Sequence, residues 1–299
     1  MNSLRIESYV RLAHAHGSME NVQGSFGGIA EWTAPLLLAV PLMAAYLLAA
    51  ALTGRRYRRW PPLRSSLWCM GVLLSSAAVL GPLAAAAHGS FTAHMLGHLL
   101  LGMLGPLLIV LSAPVTLLLR SLPRESARLL TGLLRSRLAA WLSHPVTAAL
   151  LNVGGLWLLY ATDLYAAMHH FAALNALVHV HVFAAGWLFT ASVFPVDPAP
   201  HRTGMRFRAA VMIAAFAAHG ILGKFLYANP PAGTLPEDAR SGAQLMYYGG
   251  DAVDLLLIIL FCRRWYRSAG REIPASGSDL PKKERTASVR KSAKRGIHS

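Results

Sequence analysis

The sequence predicts an all-α membrane protein, a polytopic bundle of about seven transmembrane helices with its N-terminus outside and its C-terminus in the cytoplasm. The 299 residues are 55% hydrophobic and only 14% charged, whereas soluble domains carry roughly a quarter charged residues. The apolar residues come in long blocks, and about twenty such residues cross the hydrocarbon core as a helix. The Lys and Arg residues concentrate between alternate blocks. These three observations together predict the fold class.

Seven apolar blocks are the predicted transmembrane spans, and they alternate with short polar links. The spans are 34–52, 67–87, 94–119, 146–160, 171–194, 209–227 and 243–261. Between the third and the fourth, arginines recur among leucines in RSLPRESARLLTGLLRSRLAAWLSHP, a pattern typical of an amphipathic helix on the membrane surface. Two prolines inside the third span, Pro106 and Pro114, should bend it and open room near its start.

The basic residues determine the predicted orientation. They follow every odd-numbered span, and almost none follow an even-numbered span, so the odd exits are cytoplasmic by the positive-inside rule. The formal charge of +15 therefore belongs to anchoring at the lipid bilayer, and no nucleic-acid partner is expected. The two cysteines are far apart and form no C-x-x-C motif, which excludes a disulfide framework.

Three regions follow from this layout. Residues 1–33 form an extracytoplasmic N-terminal segment, mixed and polar, in which we see no cleavable signal peptide. Residues 34–264 form the seven-helix membrane domain. Residues 265–299 are basic, rich in serine and poor in apolar residues, which predicts a disordered cytoplasmic tail.

Polar side chains inside the spans are the candidate functional residues, because ionisable groups in a bilayer usually face a bundle interior. The candidate metal ligands are His94, Met95, His98, His179, His181, His219, Asp251 and Asp254. At a rise of about 1.5 Å per residue, those on the third, fifth, sixth and seventh spans reach a similar depth, roughly 10–15 Å below the outer surface.

Helical spacing refines this set. His94 and His98 are four residues apart and share a face, with Met95 adjacent. Only one of His179 and His181 can face the bundle centre, because two residues turn a helix by about 200°.

The residue types favour copper. Imidazole binds copper, zinc and iron well, and a thioether selects Cu(I). We expect His94, Met95 and His98 to capture copper from the external side, with Met168, His169 and His170 at a second outer helix end. His179, His219 and the two aspartates would form a deeper relay or support. The simpler interpretation of any one intramembrane histidine is a hydrogen bond between helices.

The stretch HMLGHLLLGMLGPLLIVLSAPVTLLLR, residues 94–120, resembles the signature of the Bacillus-type CtaG cytochrome c oxidase assembly proteins. HVHVFAAGWLF and DPAPHR are also similar, and the likeness covers about 34–264. Leu99 stands where that family commonly has a second Met. The resemblance implies a cell-membrane factor that assembles the copper-containing terminal oxidase and is not an enzyme. Its partners would be oxidase subunits and extracytoplasmic copper carriers, and its motif residues His94, Met95 and His98.

Other functions fit the same residues. A haem- or quinone-binding membrane cytochrome also places histidines on facing helices. A proton-coupled transporter uses intramembrane Asp and His residues, and a scaffold for oxidase subunits would use the histidines for packing alone. Haem colour on purification would separate the cytochrome from a Cu(I) protein, which is colourless.

Overall fold

The computed structural model describes residues 33–54 and 57–269, and these form helices joined by short links. Outside the described residues lie 1–32, with His14 and His16, the basic pair 55–56, and 270–299, where most of the predicted tail falls. The chain divides into two compact units, 1–257 and 258–299. The described part of the second unit is the end of the last helix, which continues to Ala269.

Fourteen helices and two π-helical segments make up the described chain. They are α1 (Thr33–Gly54), α2 (Pro62–Val79), α3 (Pro82–Ala87), α4 (Phe91–His98), π1 (Leu99–Leu104), α5 (Gly105–Leu111), α6 (Pro114–Ser121), α7 (Arg124–Leu134), α8 (Arg137–Leu142), α9 (Pro145–Ala149), π2 (Leu150–Gly154), α10 (Gly155–Ala161), α11 (Leu164–His170), α12 (Ala172–Val193), α13 (Met205–Ala228) and α14 (Pro236–Ala269).

The predicted count of seven spans is not confirmed. Within the described residues, five helical runs are long and apolar enough to cross a membrane: α1, α4 through α5, α12, α13 and α14. A sixth is possible if α9–α10 and α11, which meet at a bend of 79°, act as one span. The predicted second span corresponds to α2, which carries Arg64 and four serines and ends before Gly81. The orientation remains a prediction.

The third predicted span is one helical run with a π segment inside it. Pro106 has no N–H to donate to the carbonyl of Gly102 four residues earlier, and its ring crowds that carbonyl. The helix responds by widening, and the N–H of Gly105 donates to Leu100, five residues back. At Ala113 the backbone turns left-handed, with φ 57°, and Pro114 begins a new helix. The prolines therefore act as predicted, the first through a π segment and the second through a break.

Glycines allow α12 to approach π1 closely. A Cβ on Gly186 would overlap the carbonyl oxygen of Gly102. Small residues at such crossings let helix backbones touch. The fifth predicted span is thereby packed directly against the segment that follows His98.

The segment predicted to lie on the membrane surface forms α7 and α8. The helix before them, α6, is capped by the loop that follows α12. The Asp197 carboxylate accepts hydrogen bonds from the backbone N–H groups of Val115 and Thr116, at 3.2 and 2.7 Å. The DPAPHR loop thus caps α6 from a distance in sequence. In α7, Leu129 and Leu133 are exposed beside the arginines, which agrees with the predicted amphipathic pattern.

A large apolar cluster joins five helices on one side of the histidines. Its buried members are Phe91 and Met95 of α4, Leu156, Leu159 and Tyr160 of α10, Tyr165 and Met168 of α11, Leu222 and Leu226 of α13, and Ala239, Ala243 and Met246 of α14. The cluster packs α4, α10 and α13 against one another, and α4 and α13 carry His98 and His219.

Candidate functional site

His98 lies at the centre of the candidate site. It is the last residue of α4, immediately before π1, and its side chain is only 6% exposed. Two cavities share His98 as part of their walls. We name them the His219 cavity and the His179 cavity after the other histidine that distinguishes each.

The His219 cavity has an apolar wall with five polar side chains. The polar residues are His98, Asn152, Thr190, His219 and Asp254. They come from α4, π2, α12, α13 and α14, so five parts of the fold converge. Both π segments contribute, since Gly102 and Met103 of π1 also line the cavity. π segments within α-helices occur frequently at functional sites.

The rings of His98 and His219 face each other across this region. Their centroids are 6.2 Å apart and their planes are inclined by 29°. Both ring nitrogens of His98 and the Nε2 of His219 are buried and make no hydrogen bond within the described residues. Buried polar atoms are almost always hydrogen-bonded. Three such nitrogens in one pair of rings therefore indicate a site that can accept a ligand.

Apart from His98, the histidines of the His179 cavity already have hydrogen-bond partners. The His94 Nε2 and the Tyr160 hydroxyl hydrogen-bond at 3.0 Å. The Nδ1 of His179 donates to the carbonyl of Asn175, at 2.8 Å. Since a carbonyl can only accept, this bond leaves the Nε2 of a neutral His179 with its lone pair. His179 is therefore a potential second ligand position beside His98 and His94.

Three predicted ligands lie away from these cavities. Met95 is fully buried in the apolar cluster. His181 Nε2 donates to the carbonyl of Leu151 in π2, at 3.0 Å, so His179 and not His181 borders the cavity. Asp251 is exposed, whereas Asp254 is buried. Within the described residues, the eight predicted positions are thus not brought together as one centre.

A metal site with three or more His, Cys, Asp or Glu ligands is not present within the described residues. The arrangement that remains is a pair of imidazoles. A two-ligand site suits a monovalent soft ion such as Cu(I), and imidazole is one of the ligands that copper prefers.

Sequence reasoning missed three residues of this site. Tyr160 partners His94, and Asn152 and Thr190 line the His219 cavity. Asn152 and Thr190 are isolated polar residues inside apolar spans, a signal like that of the histidines and one that could have found them. Tyr160 carries no such signal, because a tyrosine near a span end is ordinary at a membrane interface.

A family model described as cytochrome c oxidase caa3 assembly factor (Caa3_CtaG) matches residues 44–268, about three quarters of the chain. The chain belongs to this family. The match confirms the resemblance seen in residues 94–120, and it includes all eight predicted ligand positions. The match extends beyond the candidate site in both directions along the chain.

The chain is also similar to mycobacterial proteins that are described as uncharacterised. A protein of Mycobacterium bovis and one of Mycobacterium tuberculosis are each 32% identical over 196 residues, 62% of this chain and 29% of theirs. A Mycobacterium leprae protein is 26% identical over 260 residues, 78% of this chain and 38% of its own. The chain therefore spans roughly a third of the length of these relatives. No solved structure matches it significantly.

Proposed function

We propose that the protein is a non-catalytic assembly factor in the cell membrane that serves a copper-containing cytochrome c oxidase, and that it carries Cu(I) as cargo between His98 and His219. Family membership supports the assembly role. The observation that carries the copper assignment is the buried imidazole pair, in which both ring nitrogens of His98 and the Nε2 of His219 make no hydrogen bond within the described residues.

The separation of the two rings supports a shared ion. An imidazole nitrogen binds a metal at about 2 Å, so two rings that hold one ion in a nearly linear arrangement have centroids about 6 Å apart. The His98 and His219 centroids are 6.2 Å apart.

The surroundings of the pair suit a transient cation. Asp254 lies in the wall of the same cavity, and a buried carboxylate offsets the cost of placing a positive ion in an apolar region. Asn152 and Thr190 add neutral polar groups that can orient an imidazole by hydrogen bonding. Two imidazoles without a thiolate bind Cu(I) reversibly, as delivery to an oxidase requires. Oxidase subunits and extracytoplasmic copper carriers are the proposed partners.

The space around the pair favours an ion over a haem or a quinone. The His219 cavity has a volume of about 30 Å³. Pockets for organic cofactors are usually about 300–1,000 Å³. A porphyrin between His98 and His219 would require the helices to separate, whereas an ion would not.

Copper content of the purified protein tests this proposal. The detergent-purified wild type is loaded with Cu(I) under anaerobic, reducing conditions, desalted and assayed for metal and for absorbance. We expect about one Cu(I) per chain without a haem band, and a decrease of at least tenfold in affinity for His98→Gln and His219→Gln, as is usual when a metal site loses a ligand.

The matched control is His181→Gln, which removes another histidine of the same membrane region but one that bonds the Leu151 carbonyl. It should load like the wild type. The two substitutions are made in separate variants, so that misfolding of one does not decide the test. Gel filtration shows whether each variant is folded. Equal copper in all four proteins would assign the ion elsewhere. A wild type that binds no copper would contradict the cargo proposal. The assembly role that family membership supports would then not involve a copper ion carried by this protein.

A further inference from the structure

Two exposed histidines from separate links meet at the surface, outside the site described above. His88 ends α3 and His169 lies in the last turn of α11. Their ring centroids are 6.1 Å apart, with an angle of 71° between the planes. This separation is close to the 6.2 Å of the buried pair, so both pairs have the spacing of two imidazoles on one ion. Both links lie on the side predicted to be extracytoplasmic.

A continuous series of rings connects this surface pair to the buried one. His169 packs edge-on against Tyr165 at 4.9 Å, and Tyr165 packs against His94 at 5.0 Å. His94 hydrogen-bonds to Tyr160, whose ring centroid is 6.5 Å from that of His98. Imidazoles therefore occur at the surface, at His94 between two tyrosines, and at the buried pair. Electron-rich tyrosine rings, which attract cations, occupy the intervals.

We propose that His88 and His169 form the uptake site for the copper ion, and that the ion reaches His98 and His219 by way of His94. The proposal rests on the proposed function for its destination, but the surface pair is a separate site with separate residues. The transfer is ligand exchange alone: a copper–nitrogen bond to one imidazole forms as a bond to another breaks, and the ion keeps its oxidation state. Tyr165, between His169 and His94, must move aside for each passage.

The first experiment asks whether the surface pair binds metal at all. The full chain with His98→Gln and His219→Gln receives less than one equivalent of Cu²⁺, which is paramagnetic, and its electron paramagnetic resonance spectrum is recorded. We expect hyperfine splitting from two imidazole nitrogens, and its loss when His88→Gln and His169→Gln are added. A control protein instead adds His201→Gln, at an exposed histidine in the loop between α12 and α13, and should keep the signal. An unchanged spectrum after loss of His88 and His169 would overturn the proposal.

The second experiment asks whether this pair feeds the buried site. Wild type and the His88→Gln/His169→Gln variant take Cu(I) from its coloured bicinchoninate complex, and the colour loss is followed in time. We expect the variant to fill His98 and His219 to the same final level but at least about tenfold more slowly, since capture sites act on the rate of association. Equal rates would overturn the uptake role.

The two experiments separate the failure of this inference from the failure of the proposed function. A wild type that takes up no Cu(I) contradicts the buried cargo site, and the resonance experiment still decides whether the surface pair is a metal site. A wild type that fills normally, with no effect of His88 and His169 in either experiment, contradicts the uptake site alone. The His201→Gln variant is the control for the rate of uptake.

Discussion

His94 and His98 lie one turn apart on the same helix, yet their ring nitrogens have different surroundings. The Nε2 of His94 is hydrogen-bonded to Tyr160, whereas both nitrogens of His98 are buried and make no hydrogen bond within the described residues. A hydrogen-bonded imidazole is held in one orientation, while an unpartnered one is free to bind an ion. We therefore propose different roles for the two residues of one motif, His94 as a structural and relay residue and His98 as the copper ligand.

Removing the Tyr160 hydroxyl should destabilise the fold without abolishing copper binding. Tyr160→Phe leaves the buried Nε2 of His94 without its partner, which costs about 1–3 kcal/mol. The measurement is the free energy of unfolding by SDS titration in detergent, together with Cu(I) content. Tyr165→Phe is the control, because within the described residues its hydroxyl makes no hydrogen bond. Equal stability of the two variants would show that the His94–Tyr160 bond contributes little.

At the scale of whole elements, remote carboxylates hold the ends of short helices. The run from α4 to α5 carries the π segment and the HMLGH motif, and its first turn is capped from α14. The Asp238 carboxylate accepts hydrogen bonds from the N–H groups of Phe91 and Thr92, at 2.5 and 3.2 Å, and from the hydroxyl of Ser90. A negative group at a helix N-terminus also interacts well with the helix dipole. This contact ties the start of α14 to the helix that carries His98.

Removal of this cap should loosen α4 and with it the site. Asp238→Ala leaves the first N–H groups of the helix without the carboxylate, and loss of a cap costs about 0.5–2 kcal/mol. Hydrogen exchange at residues 91–94 should become faster and the free energy of unfolding should fall. Glu237→Ala, at the exposed neighbouring position, should leave both unchanged. Exchange rates that do not differ between the two variants would indicate that Ser90, which accepts from Ala93, caps the helix sufficiently by itself.

At the scale of the whole molecule, the direction of the proposed copper uptake depends on the side of the membrane on which His88 and His169 lie. The surface pair of His88 and His169 lies in links that follow even-numbered predicted spans. The basic links follow the odd-numbered ones. If the positive-inside rule holds here, the uptake site faces the external side, where the copper centre of the oxidase would receive its metal.

Cysteine labelling in intact cells tests this orientation. In a chain without Cys69 and Cys262, a single cysteine is introduced at Ala232, in the loop between α13 and α14, or at His201, in the loop between α12 and α13; both positions are exposed. A membrane-impermeant maleimide should label Ala232→Cys in intact cells and His201→Cys only after lysis. The reverse labelling pattern would show that the topology is opposite to the predicted one and that the proposed uptake site faces the cytoplasm.

The extent to which sequence predicted the structure differs from one element to the next. The helices matching spans 171–194 and 209–227 were predicted within a few residues, because an uninterrupted apolar block has one good solution in a bilayer. Span 67–87 was less well predicted, because Gly81 and Pro82 end α2 and begin α3, and composition alone does not reveal such a break. The sharp bend after α10 was not predicted for the same reason.

Sequence alone determined the helical class of this protein, the membrane-length helices and the importance of the HMLGH motif, since all three depend on local composition and spacing. Only the tertiary structure decided which side chains meet. Helix rotation sends Met95 into the apolar cluster and His98 to the cavities, although they are three residues apart. The pairing of His98 with His219, and of His88 with His169, joins residues more than eighty positions apart. Such contacts depend on how π1, the glycine crossing and the Asp238 cap align the helices, which no local pattern contains.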